Sequence, residues 1–233
     1  MSKSRTSNRE ETRGQPQGHP GRRGILFVVS APSGGGKTSL CRCIVAEMDD
    51  VMQSVSYTTR PPRPGEEHGQ AYYFVSRQEF AKRVAAGEFL EWAEVHGQWY
   101  GTPRQQVEMA LAAGKDVLLA IDVQGASQLR AAQLDAVFVF VVPPSWEVLE
   151  SRLRQRRTES PAALARRLAV AHQELAHYTE YDYVVVNDQL AAAVAVCKAI
   201  IVAERHRVQR ASAPLIPTLL AQHPEVQLVT EGG

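Results

Sequence analysis

A glycine-rich segment that follows an apolar run carries the clearest chemical signal in the chain. It reads Ala31-Pro32-Ser33-Gly34-Gly35-Gly36-Lys37-Thr38-Ser39. Glycines allow successive backbone N–H groups to converge on phosphate oxygens, and the N-terminus of a following helix adds partial positive charge. Lysine in this pattern reaches the β- and γ-phosphates, and the hydroxyl after it binds Mg²⁺. We therefore predict a nucleotide-binding loop that uses Lys37 and Thr38, with a structural glycine turn as the alternative.

Asp122 is a second candidate, because it directly follows the apolar run 117–121. Such a run predicts a buried parallel strand, and ligands in open α/β sheets bind at the carboxyl ends of the strands. A carboxylate at that place fits a contact with a magnesium-bound water or with a substrate. Capping of the following helix is the structural alternative.

Arg60 and Arg63 lie three residues apart in a loop that also contains Pro61, Pro62 and Pro64. Prolines stiffen the backbone, and forked guanidinium groups suit bidentate binding of a phosphate. A solvated linker is the alternative for the loop as a bare pattern. Beside a nucleotide site, the two arginines become candidates for a second phosphate.

Glu91 is a candidate for base recognition. A carboxylate accepts two hydrogen bonds from the N1–H and N2–H₂ groups of guanine, and adenine offers no such pair. Taken alone, Glu91 also fits a surface position on a strand. We interpret the neighbouring aromatic residues as core residues rather than base-stacking platforms; they are Tyr72, Tyr73, Trp92, Trp99 and Tyr100.

Positive charge is concentrated after residue 150, at Arg152, Arg154, Arg156 and Arg157, and again at Arg166 and Arg167. Phosphoryl transfer depends mainly on cations that neutralise the moving group, and arginines on a hinged segment suit a closing lid. A solvated helical face and an RNA-binding surface are the alternatives.

The elements that must position these residues alternate between strand and helix outside residues 54–102. Strands are predicted at 24–30, 117–121, 136–142 and 183–186, and helices at 37–48, 103–113, 124–132, 145–154, 161–177 and 189–209. Apolar strands in such an order predict an α/β fold, with a parallel sheet covered by helices on both faces.

Residues 54–102 show a different pattern, with short β-type runs at 54–58, 72–75, 89–95 and 98–100 and one helix near 76–86. We interpret this segment as an inserted α+β lobe on a core formed by 24–53 and 103–209. The lid is expected at about 152–165. Residues 1–23 and 210–233 are expected to form a disordered basic tail and a loosely attached tail.

The composition limits the function classes. The net charge of the 233 residues is +1, which argues against a general nucleic-acid binder, although the basic tail leaves RNA binding open. No apolar run approaches the roughly 20 residues of a membrane span, and no secretory signal precedes the first strand. Three cysteines without metal-ligand spacing indicate reduced thiols in a cytoplasmic protein.

Several separated motifs together give the chain a family resemblance: it resembles guanylate kinase of the bacterial type. The resemblance covers about 24–209 in collinear order. The matching motifs are the segments 30–38, 55–60, 63–66, 69–72, 89–94, 100–102, 121–125, 143–145, 152–158, 181–183 and 187–188.

The resemblance implies a P-loop NTPase core with a GMP-binding lobe and a lid. It implies an enzyme of purine nucleotide metabolism that transfers the γ-phosphoryl group of ATP to GMP with Mg²⁺. By position, Ser56, Arg60, Arg63, Tyr72 and Tyr100 would hold the GMP phosphate, Glu91 and Thr102 would read guanine with Asp122 nearby, and Lys37, Arg152, Arg156 and Arg167 would surround the transferred group. Asn187 would lie near ATP or the GMP-side arginines.

The chain departs from the family pattern at four positions. Ala31 replaces the usual first glycine of the loop, and Ala120 replaces an aspartate that many relatives carry two residues before Asp122. Arg157 stands where glycine is common, and Gln189 replaces a second aspartate. We expect Ala120 to bear on the metal geometry and Arg157 to stiffen the lid.

Besides RNA binding through the basic tail, two other functions remain open at this point. One is a non-catalytic guanylate-kinase-like module that binds phosphorylated protein segments through the lobe. The other is a different phosphate-loop enzyme, such as another nucleotide kinase or an ATPase. The pattern does not determine the oligomeric state.

Overall fold

The computed structural model describes residues 22–95, 97–154, 161–210 and 215–222. The strands are β1 (Leu26–Ser30), β2 (Val51–Gln53), β3 (Tyr57–Thr58), β4 (Tyr73–Phe74), β5 (Phe89–Val95), β6 (Gln98–Pro103), β7 (Asp116–Ala120), β8 (Ala136–Val142) and β9 (Tyr183–Val186). The helices are α1 (Lys37–Glu47), α2 (Arg77–Ala85), α3 (Arg104–Ala112), α4 (Val123–Ala131), α5 (Trp146–Arg154), α6 (Pro161–Leu175), α7 (Leu190–Arg205) and α8 (Leu215–Gln222). A 3₁₀ turn at Ala176–Glu180 follows α6.

The central sheet is parallel and has the strand order β2-β7-β1-β8-β9. Successive side chains of β1 point to opposite faces, because a strand has a period of two. Phe27 and Val29 pack with α1 and α7, whereas Leu26 and Val28 pack with α3 and α4. This arrangement confirms the predicted α/β fold with helices on both faces.

The inserted lobe has its own sheet, in the order β4-β3-β6-β5. Phe80 of α2 is fully buried and packs against the rings of Phe89 and Trp99, at centroid distances of 4.7 and 5.6 Å. Trp99 thus packs against the core of the lobe but is itself only half-buried, as are the other predicted core aromatics Tyr72, Tyr73 and Tyr100. Trp92 differs, because it is 39% exposed at the edge of this cluster.

Three elements differ from the sequence prediction. β2 is a three-residue edge strand of the main sheet, too short to give a recognisable pattern, and the predicted strand 54–58 shrinks to β3. α8 lies in the segment 210–233, which was predicted to be a loosely attached tail without a helix. Its Pro217 falls in the first turn, where backbone N–H groups have no helical partner, so this proline does not oppose helix formation.

Residues 1–21, 155–160 and 223–233 lie outside the described residues, and with them most of both predicted tails and part of the lid, including Arg156 and Arg157. Of the helices that are described, none combines the length and apolar character of a bilayer span.

Candidate active site

The candidate residues meet at the edge of the sheet where the parallel strands end. The glycine-rich loop follows β1, Asp122 follows β7, and Asn187 follows β9. Parallel strands bring their carboxyl ends to one edge, which is where open α/β sheets bind ligands. The sequence placed Asp122 at this edge from the apolar run before it, and the structure confirms that position.

The loop is held in shape by glycine and by Asn187. Gly36 has φ +91°, a left-handed conformation, and directly precedes α1. The Asn187 side-chain amide donates to the Gly35 carbonyl at 3.0 Å, and a Cβ on Gly36 would lie 2.2 Å from Asn187 Nδ2. Only glycine fits this position, so Asn187 and Gly36 together fix the start of α1.

Ala31, the departure at the first position of the loop, is buried. A Cβ on Gly35 would lie only 2.8 Å from the Ala31 methyl, so the methyl fills the space that Gly35 leaves open. The loop therefore accommodates alanine at this position. Ala120, the second departure, packs with the hydrophobic cluster on the α1 face of the sheet.

Lys37 joins the loop to the end of β7. Its Nζ donates to the Ile121 carbonyl at 2.6 Å. Burial lowers the pKa of Lys37, and the nearby Asp122 carboxylate opposes this change. A neutral carbonyl binds an ammonium less strongly than a phosphate does, so Lys37 is held in place but remains available to a phosphate group.

The Glu91 side chain is buried, at 5% exposure, where the lobe meets the core. Thr102 on the paired strand donates its hydroxyl to Glu91 Oε1 at 2.5 Å. Gly125 of α4 allows the approach, since a Cβ there would lie 2.4 Å from Glu91 Oε2. Burial raises the pKa of Glu91 to about 7, which the Thr102 hydrogen bond opposes and Asp122 reinforces.

Asp122 caps the following helix, as its structural interpretation predicted, and its contact with a metal-bound water or a substrate stays a prediction. Its Oδ1 accepts the Gly125 N–H at 2.9 Å and so caps α4. The same carboxylate lies close enough to Lys37 and Glu91 to influence the pKa of each. Asp122 thus supports a helix and also contributes charge between the loop and the lobe.

The arginine loop of the lobe is organised by Glu66. The two terminal nitrogens of Arg60 each donate to the Glu66 carboxylate at 2.9 Å, and the Arg63 backbone N–H donates to it at 2.8 Å. These bonds lower the pKa of Glu66. The Arg60 guanidinium also lies 5.3 Å from the centre of the Tyr72 ring. One carboxylate therefore orients Arg60 and shapes the loop that carries Arg63.

The remaining predicted ligands surround the same loop or lie near it. Tyr100 packs edge-on against Tyr72, with ring centroids 5.9 Å apart. Ser56 precedes β3 and is half-buried, and Arg63 is exposed. The structure therefore groups Arg60, Tyr72 and Tyr100 most closely.

Arg152 and Arg167 lie on two neighbouring helices, α5 and α6. One terminal nitrogen of Arg152 donates to the Asn187 carbonyl at 2.9 Å, and the other is buried without a hydrogen-bond partner among the described residues. A buried donor in that state suits an anion. Arg167 is half-buried.

Two residues of the site were absent from the sequence prediction of ligands. Glu66 stood in a matching motif, and its position six residues after Arg60 in a proline-stiffened loop was an available signal. Glu174 gave no signal, because it reaches the loop from 141 residues away, where its carboxylate accepts the Ser33 N–H at 2.9 Å.

The oxygen donors at the loop fit Mg²⁺ bound together with a nucleotide. Mg²⁺ is usually held by one or two protein oxygens, with phosphate oxygens and water completing its shell. The exposed Thr38 side chain in the first turn of α1 and the nearby Asp122 carboxylate are donors of that kind. Within the described residues, no group of three or more metal-ligating side chains exists that would form a closed protein site.

Comparisons with known proteins agree with this geometry. A family model described as guanylate kinase matches residues 23–204. A guanylate kinase from Symbiobacterium thermophilum is 55% identical over 198 residues, which cover 85% of this chain and 94% of the relative. One from Xylella fastidiosa is 49% identical over 201 residues, covering 85% and 98%.

A solved structure shows the same likeness in three dimensions. The crystal structure of guanylate kinase from Anaplasma phagocytophilum has a TM-score of 0.72 and 34% identity, and the match covers 87% of this chain and 97% of that one. The glycine-rich loop, the inserted lobe and the arginine-bearing helices all fall within the segment that the family model matches. The chain belongs to the guanylate kinase family.

Proposed function

We propose that this chain transfers the γ-phosphoryl group of ATP to GMP, with ATP on the glycine-rich loop and GMP in the inserted lobe. The observation that carries the proposal is the buried Glu91 carboxylate, which faces the core beside Thr102 and Gly125. A buried carboxylate with raised pKa is costly unless a ligand pairs with it. Guanine supplies a matching pair of N–H donors.

On the donor side, the backbone N–H groups of the loop and Lys37 hold the triphosphate. One buried nitrogen of Arg152, which has no hydrogen-bond partner among the described residues, would neutralise charge on the moving group, and we assign Arg167, and Arg156 by resemblance, the same role. Thr38 would hold Mg²⁺ together with phosphate oxygens, and when bound this ion neutralises charge on the triphosphate.

On the acceptor side, Arg60 and Arg63 hold the GMP phosphate with Tyr72, Tyr100 and Ser56. Glu66 keeps Arg60 in place before the substrate arrives, which reduces the ordering cost of binding. The attacking atom is a phosphate oxygen that carries charge at neutral pH, so positioning and charge neutralisation suffice without a general base. Closure of the lobe and the lid would exclude water and limit ATP hydrolysis. We place this reaction in the cytoplasm.

A panel of nucleoside monophosphates tests the proposal. With ATP and Mg²⁺, we expect ADP formation to be fastest with GMP, slower with IMP, which lacks the 2-amino group, and slowest with AMP, CMP and UMP. A coupled assay of ADP release measures these rates. Equal rates with GMP and AMP would refute guanine recognition, and no GMP-dependent ADP at all would favour a non-catalytic binding module.

The pKa of Glu91, about 7, predicts a pH-dependent KM for GMP. Only the carboxylate accepts both guanine donors, so protonation weakens binding as the pH falls. The ionised fraction drops about tenfold from pH 8 to pH 6, and KM for GMP should rise by about that factor. The GMP phosphate also titrates in this range. The pH dependence of KM for GMP in Glu91→Gln, which lacks the carboxyl group, measures the contribution of the phosphate alone. An identical pH dependence in both proteins would show that Glu91 does not titrate there.

A further inference from the structure

Glu174 connects the far end of α6 to the phosphate loop. It is the penultimate residue of α6, and its Oε2 accepts the backbone N–H of Ser33 at 2.9 Å. Hydrogen bonds from a backbone N–H to a carboxylate are short and directional. The contact therefore fixes where this end of α6 lies relative to the loop.

Apolar packing supports the same contact. Ala171 of α6 is fully buried against Leu149 and Leu153 of α5. Those two leucines lie against the loop, since a Cβ on Gly34 would be 3.2 Å from each of them. The pair of helices α5 and α6 thus rests on the loop, and Glu174 supplies its polar contact with Ser33.

Arg167 lies seven residues before Glu174 on α6. Seven residues turn a helix through about 700°, within roughly 20° of two full turns, and advance it by about 10.5 Å. The two residues therefore share a face of α6, and the face that meets the loop at Glu174 also carries Arg167.

We propose that Glu174 is a positioning residue that anchors α6 to the phosphate loop and thereby holds Arg167 in register with the transferred phosphoryl group. The inference rests on the proposed function. A carboxylate beside an anion-binding loop has an unfavourable electrostatic free energy. The hydrogen bond to Ser33 compensates for this cost by fixing the position of α6. Consistent with this cost, burial raises the pKa of Glu174, while the Ser33 hydrogen bond and Lys37 oppose the change.

The positioning role requires a hydrogen-bond acceptor for the Ser33 N–H more than it requires a negative charge. Two substitutions of Glu174 separate the effect of the acceptor from the effect of the charge. Glu174→Gln keeps a carbonyl oxygen for the Ser33 N–H, and we expect its kcat to stay within about threefold of the wild type. Glu174→Ala removes the acceptor, and kcat should fall by about tenfold or more, because small displacements of charged groups are costly in phosphoryl transfer. KM for GMP should be unchanged in both.

The exposed neighbour Gln173 supplies a matched control on the same helix. Gln173→Ala should retain wild-type kcat, and thermal melting identifies any variant that fails to fold. If Glu174→Ala keeps full kcat or gains affinity for ATP, Glu174 merely occupies the empty loop and the proposal is wrong. An equal loss of kcat in Glu174→Ala and Glu174→Gln would also overturn the proposal, because that result would assign the effect to the charge of Glu174.

A double-mutant cycle with Arg167→Lys tests the connection to Arg167. Lysine keeps the charge but loses the forked geometry. If Glu174 acts through Arg167, Glu174→Ala should cost at least about threefold less in kcat in the Arg167→Lys background than in the wild type. Additive losses would contradict the connection. The wild-type GMP assay separates this outcome from failure of the proposed function, since that failure would abolish the signal in every variant.

Discussion

Replacing Glu91 with glutamine is expected to lower kcat/KM for GMP by about 10³-fold or more, while KM for ATP changes by less than about twofold. The Glu91 carboxylate is buried, so water cannot replace the hydrogen bonds that guanine would make with it. Glutamine offers one acceptor and places an NH₂ group opposite a guanine donor, which leaves polar groups unpaired on both sides. Initial rates at varied GMP and saturating ATP measure the loss.

The same substitution should stabilise the protein at alkaline pH. Glu91 has a folded-state pKa of about 7, above its ordinary value of 4.5, so the folded state binds this proton more tightly than the unfolded state. This carboxyl therefore lowers the free energy of unfolding as the pH rises from about 4.5 to 7. We expect Glu91→Gln to have a higher melting temperature than the wild type at pH 8, and this advantage should vanish near pH 4.5.

Glu94 on the same strand gives the matched control. It is exposed on the opposite face of β5, where its carboxylate accepts the Trp99 indole N–H at 3.0 Å. Glu94→Gln should change kcat/KM for GMP by less than about twofold, as substitutions away from a site usually do. If Glu91→Gln still uses GMP with a normal KM, or if Glu94→Gln loses as much, then Glu91 does not read guanine.

Local pattern was enough to predict most of this fold. The residues before the loop form a continuous apolar run, which is typical of a strand buried on both faces, so the run predicted a central parallel strand without knowledge of its neighbours. In the structure, both faces of β1 are buried. The loop itself is contiguous in sequence, and its glycines, Lys37 and Thr38 predicted a phosphate site directly. The edge strand β2 was not predicted, because three residues are too few to show the alternation of a strand.

The contacts that assemble the site could not be predicted in the same way. Glu91 and Gly125 come from separate elements of the chain. Glycine is needed at position 125 because a Cβ there would lie 2.4 Å from the Glu91 carboxylate. The Glu174 contact with Ser33 also depends on how α6 packs on the loop, which no local periodicity encodes. Family resemblance predicted ligands such as Glu91, but it did not reveal the residues that orient them.

Replacing Lys37 with methionine is expected to lower kcat by about 10²- to 10³-fold, the usual cost of removing one preorganised donor from a transition state. The ammonium lies 2.6 Å from the Ile121 carbonyl, at the point where the loop meets the end of β7. Methionine keeps the length of the side chain and removes its charge. The fold should survive, because the loop is also fixed by the Asn187 hydrogen bond to Gly35.

Lys115 is the matched control for charge, because it is exposed at the opposite end of β7 and lies away from the loop. Lys115→Met should retain kcat within about twofold, as surface substitutions usually do. Single-turnover rates at saturating ATP and GMP would measure the chemical step in both variants. A normal rate for Lys37→Met would remove Lys37 from the phosphoryl-transfer step.

The lowered pKa of Lys37 adds a second test of the same assignment. Burial makes the empty enzyme lose this proton at a lower pH than an ordinary lysine, whose pKa is 10.5. A bound triphosphate adds negative charge and raises the pKa again. Therefore kcat/KM for ATP, which reports the free enzyme, should decline at a lower alkaline pH than kcat, which reports the bound complex. In Lys37→Met, kcat/KM for ATP and kcat should no longer decline at different alkaline pH values. If the difference persists in this variant, a group other than Lys37 causes it.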